Sequence, residues 1–154
     1  MENRSQYHEN FTLERVYPNS KAEVWAAWSI REKKAEWLRN PALEMDFRPG
    51  GFERSTFRDA MGEHVNETRY FEINEGNRIV LAYSMAVNGR VHTVSLTTVA
   101  VMDEGCSTRL RYTEQMCIIP PSDGLKGREH GWNALLDALG VCLAEKIRKN
   151  AKSH

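Results

Sequence analysis

The spacing of apolar residues divides the chain into a strand, two short helices, a run of strands and one long helix. Phe11 to Tyr17 reads as the first strand, ended by Pro18. Ser20 and Glu23 form a capping-box pattern, in which the serine hydroxyl takes a free amide and the glutamate reaches back. Val24 and Trp28, one turn apart, mark the inner face of the helix that follows. Glu32 to Leu38 reads as a second short helix, stopped near Pro41.

The middle of the chain is a meander. Arg48-Pro49-Gly50-Gly51 turns into a strand that ends near Phe57, and Asp59-Ala60-Met61-Gly62 turns the chain back. Glu63 to Ile73 is the next strand, Glu75-Gly76-Asn77 a turn, and Ile79 to Val87 another strand. Asn88-Gly89 predicts a two-residue hairpin loop with positive φ at both positions. Asp103-Glu104-Gly105 closes the next hairpin, and Thr108 to Met116 is the last strand. After Pro120-Pro121-Ser122-Asp123 the pattern is helical to about Lys149, with Leu125, Trp132, Leu136, Leu139, Leu143 and Ile147 in one apolar stripe. The predicted class is α+β: a curved six- to seven-stranded antiparallel sheet wrapped around a long C-terminal helix, a helix-grip fold. Residues 1–9 are expected to be a mobile segment, 10–149 one domain and 150–154 a tail.

Composition narrows the function classes. Lysine plus arginine number 21 and aspartate plus glutamate 21, so the chain has no excess cation to neutralise phosphates, and a nucleic-acid partner is not expected. Cys106, Cys117 and Cys142 have no short spacing and read as reduced thiols of a cytoplasmic protein. No apolar run approaches the roughly 18 residues of a membrane span. There is no HExxH, phosphate loop, nucleophile elbow or dinucleotide fingerprint. His8, His64, His92, His130 and His154 show no metal-ligand spacing, so neither a metal nor a cofactor is expected.

Tyr17 through Trp28, then Trp37 and Pro41, Arg48-Pro49-Gly50-Gly51, Gly62, Thr108-Arg109-Leu110 and Gly131-Trp132 with Leu136 and Leu139 follow one another in a familiar order. In these positions the chain resembles the bacterial domain similar to the C-terminal part of the activator of heat-shock protein 90 ATPase. That domain is part of the START-like superfamily (SRPBCC, Bet v-like), which includes lipid-transfer, pollen-allergen and polyketide-cyclase proteins. The resemblance runs from about Phe11 to Leu143 and implies a cavity between sheet and long helix. It does not imply a particular chemistry. Two departures bear on the cavity. Phe52 and Phe57 have opposite parity, which implies a bulge or a polar wall and leaves the facing of Glu53, Arg54 and Ser55 open. The glycine often present near Thr68 is missing.

Period-two counting predicts which side chains face the long helix. From the Asn88-Gly89 turn, Met85 falls opposite His92, Tyr83 opposite Val94, and Leu81 opposite Leu96, all inward. On the last strand Leu110, Tyr112, Glu114 and Met116 face in. Ile73 and Phe71 face in, and the same parity carries Arg69 inward. On the helix Arg128 lies one turn before Trp132, while His130 falls on the solvent side. The candidate ligand-binding residues are therefore Arg69, Tyr83, Met85, His92, Tyr112, Glu114, Met116, Arg128 and Trp132. They form a polar mouth above the apolar Leu81, Leu96 and Leu110. Either Arg69 or Arg128 is expected to pair with Glu114, since a buried unpaired charge is costly.

Three functions fit. The first is a protein that binds a small hydrophobic or amphipathic molecule. The second is an enzyme of the cyclase, aldolase or hydrolase type, with Glu114 or His92 as general base and Arg69 or Arg128 holding an oxyanion. That reading requires Glu114 to be free of a salt bridge. The third is a chaperone-associated module. A homodimer is left open, and a membrane partner is not expected.

Overall fold

The computed structural model describes residues 5–152 and is α+β. Its elements are β1 (Tyr7–Tyr17), α1 (Lys21–Ser29), α2 (Arg31–Leu38), β2 (Glu44–Met45), β3 (Phe52–Asp59), β4 (Gly62–Asn74), β5 (Arg78–Val87), β6 (Arg90–Glu104), β7 (Ser107–Ile118) and α3 (Gly124–Lys152). One seven-stranded antiparallel sheet runs in the order β1-β7-β6-β5-β4-β3-β2. The first strand starts at Tyr7, which pairs with Ile118, so it reaches into the segment expected to be mobile. Residues 1–4 and 153–154 lie outside the described residues.

The helix starts follow the sequence signals. Ser20 caps α1 by accepting from the Glu23 amide at 3.2 Å. Helix α3 lies along the inner face of the sheet and is gripped by its first strand and by the residues just after it. The Tyr17 hydroxyl donates to the Leu136 carbonyl at 2.8 Å, and the Asn19 amide nitrogen donates to the Leu143 carbonyl at 3.0 Å. Leu136, Leu139 and Leu143 are buried, Leu125 and Trp132 are half-buried, and Ile147 is exposed, so the stripe fades before the helix ends. No helix among the described residues is long and apolar enough to cross a membrane.

The Asn88-Gly89 turn forms as read, with φ of 51° and 79° and Val87 paired to Arg90. One pair further on, the register shifts. Ala86 pairs with Val91 but Met85 pairs with Thr93, leaving His92 as the extra residue of a β-bulge. Beyond it Tyr83 opposes Ser95 and Leu81 opposes Thr97. The expectation that Val94 and Leu96 face inward is therefore wrong; they are 45% and 44% exposed on the outer face. Thr93, Ser95 and Thr97 are buried in their place.

A second bulge corrects Arg69. Tyr70 pairs with Leu81 but Glu72 with Val80, so Phe71 is the extra residue. Tyr70 is fully buried and Ile73 packs on the core, whereas Phe71 is exposed. Arg69 lies outside, its guanidinium over the Phe71 ring at 5.6 Å from the centroid. Parity carried across a bulge changes sign, and Phe71 and Arg69 were both placed by such a count. In β3 the register is unbroken from Phe52 to Asp59, so the opposed phenylalanines reflect a polar wall and not a bulge. Phe52, Arg54 and Phe57 are exposed, while Glu53 turns inward to Lys34 of α2 and Ser55 to Asn40 just beyond that helix.

Asn88 also holds the neighbouring hairpin. Its side-chain oxygen accepts from the Glu63 amide at 2.9 Å, and its nitrogen donates to the Met61 carbonyl at 3.1 Å. Gly62, at φ 130°, lies so close that a Cβ there would sit 2.3 Å from the Asn88 side-chain oxygen.

Candidate functional site

Glu114, on the inner face of β7, is 0% exposed, and four donors converge on its carboxylate. One oxygen accepts from the Tyr83 and Tyr112 hydroxyls, both at 2.6 Å. The other accepts from the Ser95 hydroxyl at 2.6 Å and from Arg128 Nη1 at 2.5 Å. Arg128 comes from the start of α3 and is 7% exposed. It also donates to Tyr83 Oη at 2.8 Å and to Thr93 Oγ1 at 2.5 Å, and its guanidinium stacks over the Tyr83 ring. Trp132 Nε1 donates to Tyr83 Oη at 3.2 Å. The pairing of Arg128 with Glu114 expected from the sequence is present. It is charge-assisted and surrounded by hydroxyls, the arrangement that lets a buried ion pair offset its desolvation.

The electrostatics follow from that packing. Burial, with the charge of Glu114 beside it, pushes the Tyr83 hydroxyl well above the usual tyrosine range. Tyr112 is raised by burial first, then by its neighbours Tyr83 and Glu114. Burial works against the charge of Arg128, yet the net shift is upward because Tyr83 and Glu114 outweigh it. His92 is pushed below the usual histidine value, by burial first and then by Arg128, with Asp123 opposing.

Of the residues read from sequence, Tyr83, Tyr112, Glu114, Arg128 and Trp132 form one contiguous cluster. Met116 is buried in the register position next to Ser95, and Met85 is half-buried opposite Thr93. His92 sits in the bulge, half-buried, and its Nδ1 is buried without a hydrogen-bond partner. Arg69 is on the other face of the sheet and is not part of the site.

Sequence reasoning missed two groups. Thr93 and Ser95 were assigned to the wrong face because a bulge has no signature in an alternating run. The second group is another buried ion pair: Lys34, 4% exposed, donates to Glu53 Oε1 at 2.6 Å, and the same oxygen accepts from the Tyr70 hydroxyl at 2.5 Å. A signal for Lys34 was available, since residues three apart on a helix share a face and Lys34 precedes the buried Trp37 by three. Aromatic side chains fill the space between the two ion pairs. Trp132 stacks on Tyr112 at 4.1 Å and lies parallel to Trp28 at 6.0 Å, and Trp28 packs on Trp37 at 4.9 Å. Trp28 Nε1 in this stack and Thr97 Oγ1 on the buried face of β6, on residues each 1% exposed, have no hydrogen-bond partner in the protein. Asn66 Oδ1, buried on β4, has none either.

The family described as "Activator of Hsp90 ATPase homolog 1-like protein" matches residues 19–144. A comparison with curated proteins finds no match. Among solved structures, the Mll3558 protein of Rhizobium loti is 37% identical, with a TM-score of 0.85 over 90% of this chain and 99% of that one. A protein of Rhizobium leguminosarum is 32% identical, with a TM-score of 0.88 over 94% of this chain and 99% of that one. DynU16, from the dynemicin biosynthetic locus, is 16% identical, with a TM-score of 0.68 over 88% of this chain and 47% of that one, a likeness of fold alone.

Proposed function

The chain belongs to the Activator of Hsp90 ATPase homolog 1-like family, and from that premise we propose that it binds a small hydrophobic or amphipathic molecule between the sheet and α3. The observation that carries this reading is the pair of orphaned polar atoms, Trp28 Nε1 among the packed tryptophans and Thr97 Oγ1 on the buried face of β6. Native interiors pair nearly all such groups, so two left over in one domain call for a partner that the chain does not supply. The half-buried Tyr83, Met85, Leu125 and Trp132 form the rim through which a molecule enters, and thioether and leucyl side chains deform readily. Tyr112 and Met116 form the floor, Glu114 with Arg128 a rigid polar wall, and His92 its edge. Occurrence of a fold relative in a biosynthetic locus is in keeping with a small-molecule ligand.

The enzyme reading loses its motive. Glu114 was to be a base only if free of a salt bridge, and its oxygens already accept from Arg128 and three hydroxyls, leaving none aimed at a substrate proton. Association with a chaperone rests on the family's description alone. Three free cysteines support a reducing, cytoplasmic setting.

Native mass spectrometry against a library of lipids and aromatic metabolites tests the proposal. A one-to-one adduct that disappears in Met85→Trp, which fills the rim, is the expected result. Adducts that persist unchanged in that variant, or none with any compound, would overturn it.

A further inference from the structure

On the outer face of the sheet, away from α3, the strand registers align two rows of side chains. One row crosses β3 to β6 as Phe52, Arg69, Ala82 and Leu96. The other, two residues along each strand, crosses as Arg54, Glu67, Ser84 and Val94. Ala82 and Ser84 are small, and Phe52, Leu96 and Val94 are 50%, 44% and 45% exposed. Single apolar residues on a surface carry no message, but Ala82, Leu96 and Val94 adjoin one another, and a contiguous apolar patch marks an interaction surface. The charges lie to one side, on β3 and β4. Glu67 is 4.0 Å from Arg54, both exposed. Arg69 rests its guanidinium over the Phe71 ring, and among the described residues no carboxylate pairs with it.

These rows are complementary to themselves. A two-fold axis that crosses the strands midway between them lays each row over the other row of a second copy. Leu96 then meets Val94 and Ala82 meets Ser84, while Arg69 meets Glu67 and Phe52 meets the Arg54 guanidinium, each contact occurring twice as an isologous interface requires. A two-fold axis along the strands, between β5 and β6, would instead set Arg69 against the uncharged residues of β7, Gln115 and Cys117, and gain no ion pair. Area agrees with the first arrangement. Six strands spaced about 4.8 Å apart, over about seven residues each, span roughly 24 by 20 Å, or about 500 Å² in projection. Two copies together therefore bury at least about 1,000 Å², the size at which specific interfaces begin.

We propose that this outer face is a homodimer interface, in which two sheets pack face to face across that axis. Arg69 supplies its specificity, because it finds in a second copy the carboxylate that its own chain does not give it. The inner face and α3 stay free in such a dimer, so the surface is separate from the candidate ligand site.

Sedimentation velocity of the intact chain from 1 to 500 μM tests the proposal. A dimer is expected at the upper concentrations. Leu96→Glu should leave a monomer. Arg69→Glu sets four carboxylates together at the interface and should weaken the dimer by about tenfold or more, since like charges facing each other are costly. Arg69→Glu with Glu67→Arg exchanges the partners and should restore it. Both positions are exposed, and far-UV circular dichroism of each variant checks that the sheet is intact. The proposal is overturned if the wild type is monomeric throughout, if a dimer survives Leu96→Glu, or if the charge exchange fails to recover what Arg69→Glu loses.

Discussion

Replacing Arg128 by methionine isolates the buried charge of Glu114. The substitution keeps an unbranched side chain of similar length and removes the guanidinium, which is 7% exposed and bonded to a carboxylate that is 0% exposed. Breaking a buried pair from one side costs about 3–5 kcal/mol, because the remaining charge stays desolvated. Glu114 would keep donors from Tyr83, Tyr112 and Ser95, which places Arg128→Met near the low end, at about 3 kcal/mol. Adding Glu114→Gln removes the stranded charge while preserving the shape, so the double variant should be more stable than Arg128→Met alone. Urea unfolding followed by tryptophan fluorescence, with the slope checked for constancy, measures both. A loss below about 1 kcal/mol for Arg128→Met, the size expected of an exposed ion pair, would refute the account of a desolvated pair. Additive effects of the two substitutions would refute it equally, since residues in contact couple.

Two further outcomes follow from the bulge and the hairpin clamp. His92 has a folded pKa below its unfolded value, so the unfolded chain binds the proton first. Its contribution is complete above the unfolded value of about 6.5 and is lost as pH falls through the lower folded one; thermal midpoints between pH 7 and 5 should therefore fall less in His92→Gln than in the wild type, and parallel curves would contradict this. Gly62→Ala would displace the Asn88 side chain and its two hydrogen bonds, a loss of roughly 2 kcal/mol beyond backbone strain. Gly76→Ala, also at positive φ but with open space around it, should cost less in the same thermal unfolding series, and equal losses would rule out the clamp.

Elements with local signals were legible in the sequence. The Ser20 cap, the Asn88-Gly89 turn and the alternation of β7 from Leu110 to Met116 all occur as read, because each is decided by residues within a few positions of one another. What failed was long-range parity. Arg69 and Leu96 were each placed by counting in twos from a sound starting point, and each count crossed a bulge that nothing in the run announces. Within the site, Glu114 and Tyr112 were found because β7 has no bulge over their stretch, and Arg128 because helical spacing tied it to Trp132. Ser95 and Thr93 were lost with the register. The pair of Lys34 and Glu53 required knowing that α2 lies over β3, a tertiary fact that no local pattern encodes.

The extra residue at His92 also governs how lengths can vary among relatives. It separates the hairpin tip, Ala86 to Val91, from the body of the strand, where Thr93, Ser95 and Thr97 face the helix. A homologue one residue shorter here would turn its tip over while keeping those three positions, and everything paired with them, in place. Insertions and deletions at this hairpin are thus absorbed before they reach the interior. In an alignment of the family, a gap at this turn would alter the site at its His92 edge alone, whereas the same gap between Thr93 and Thr97 would invert the wall of the site.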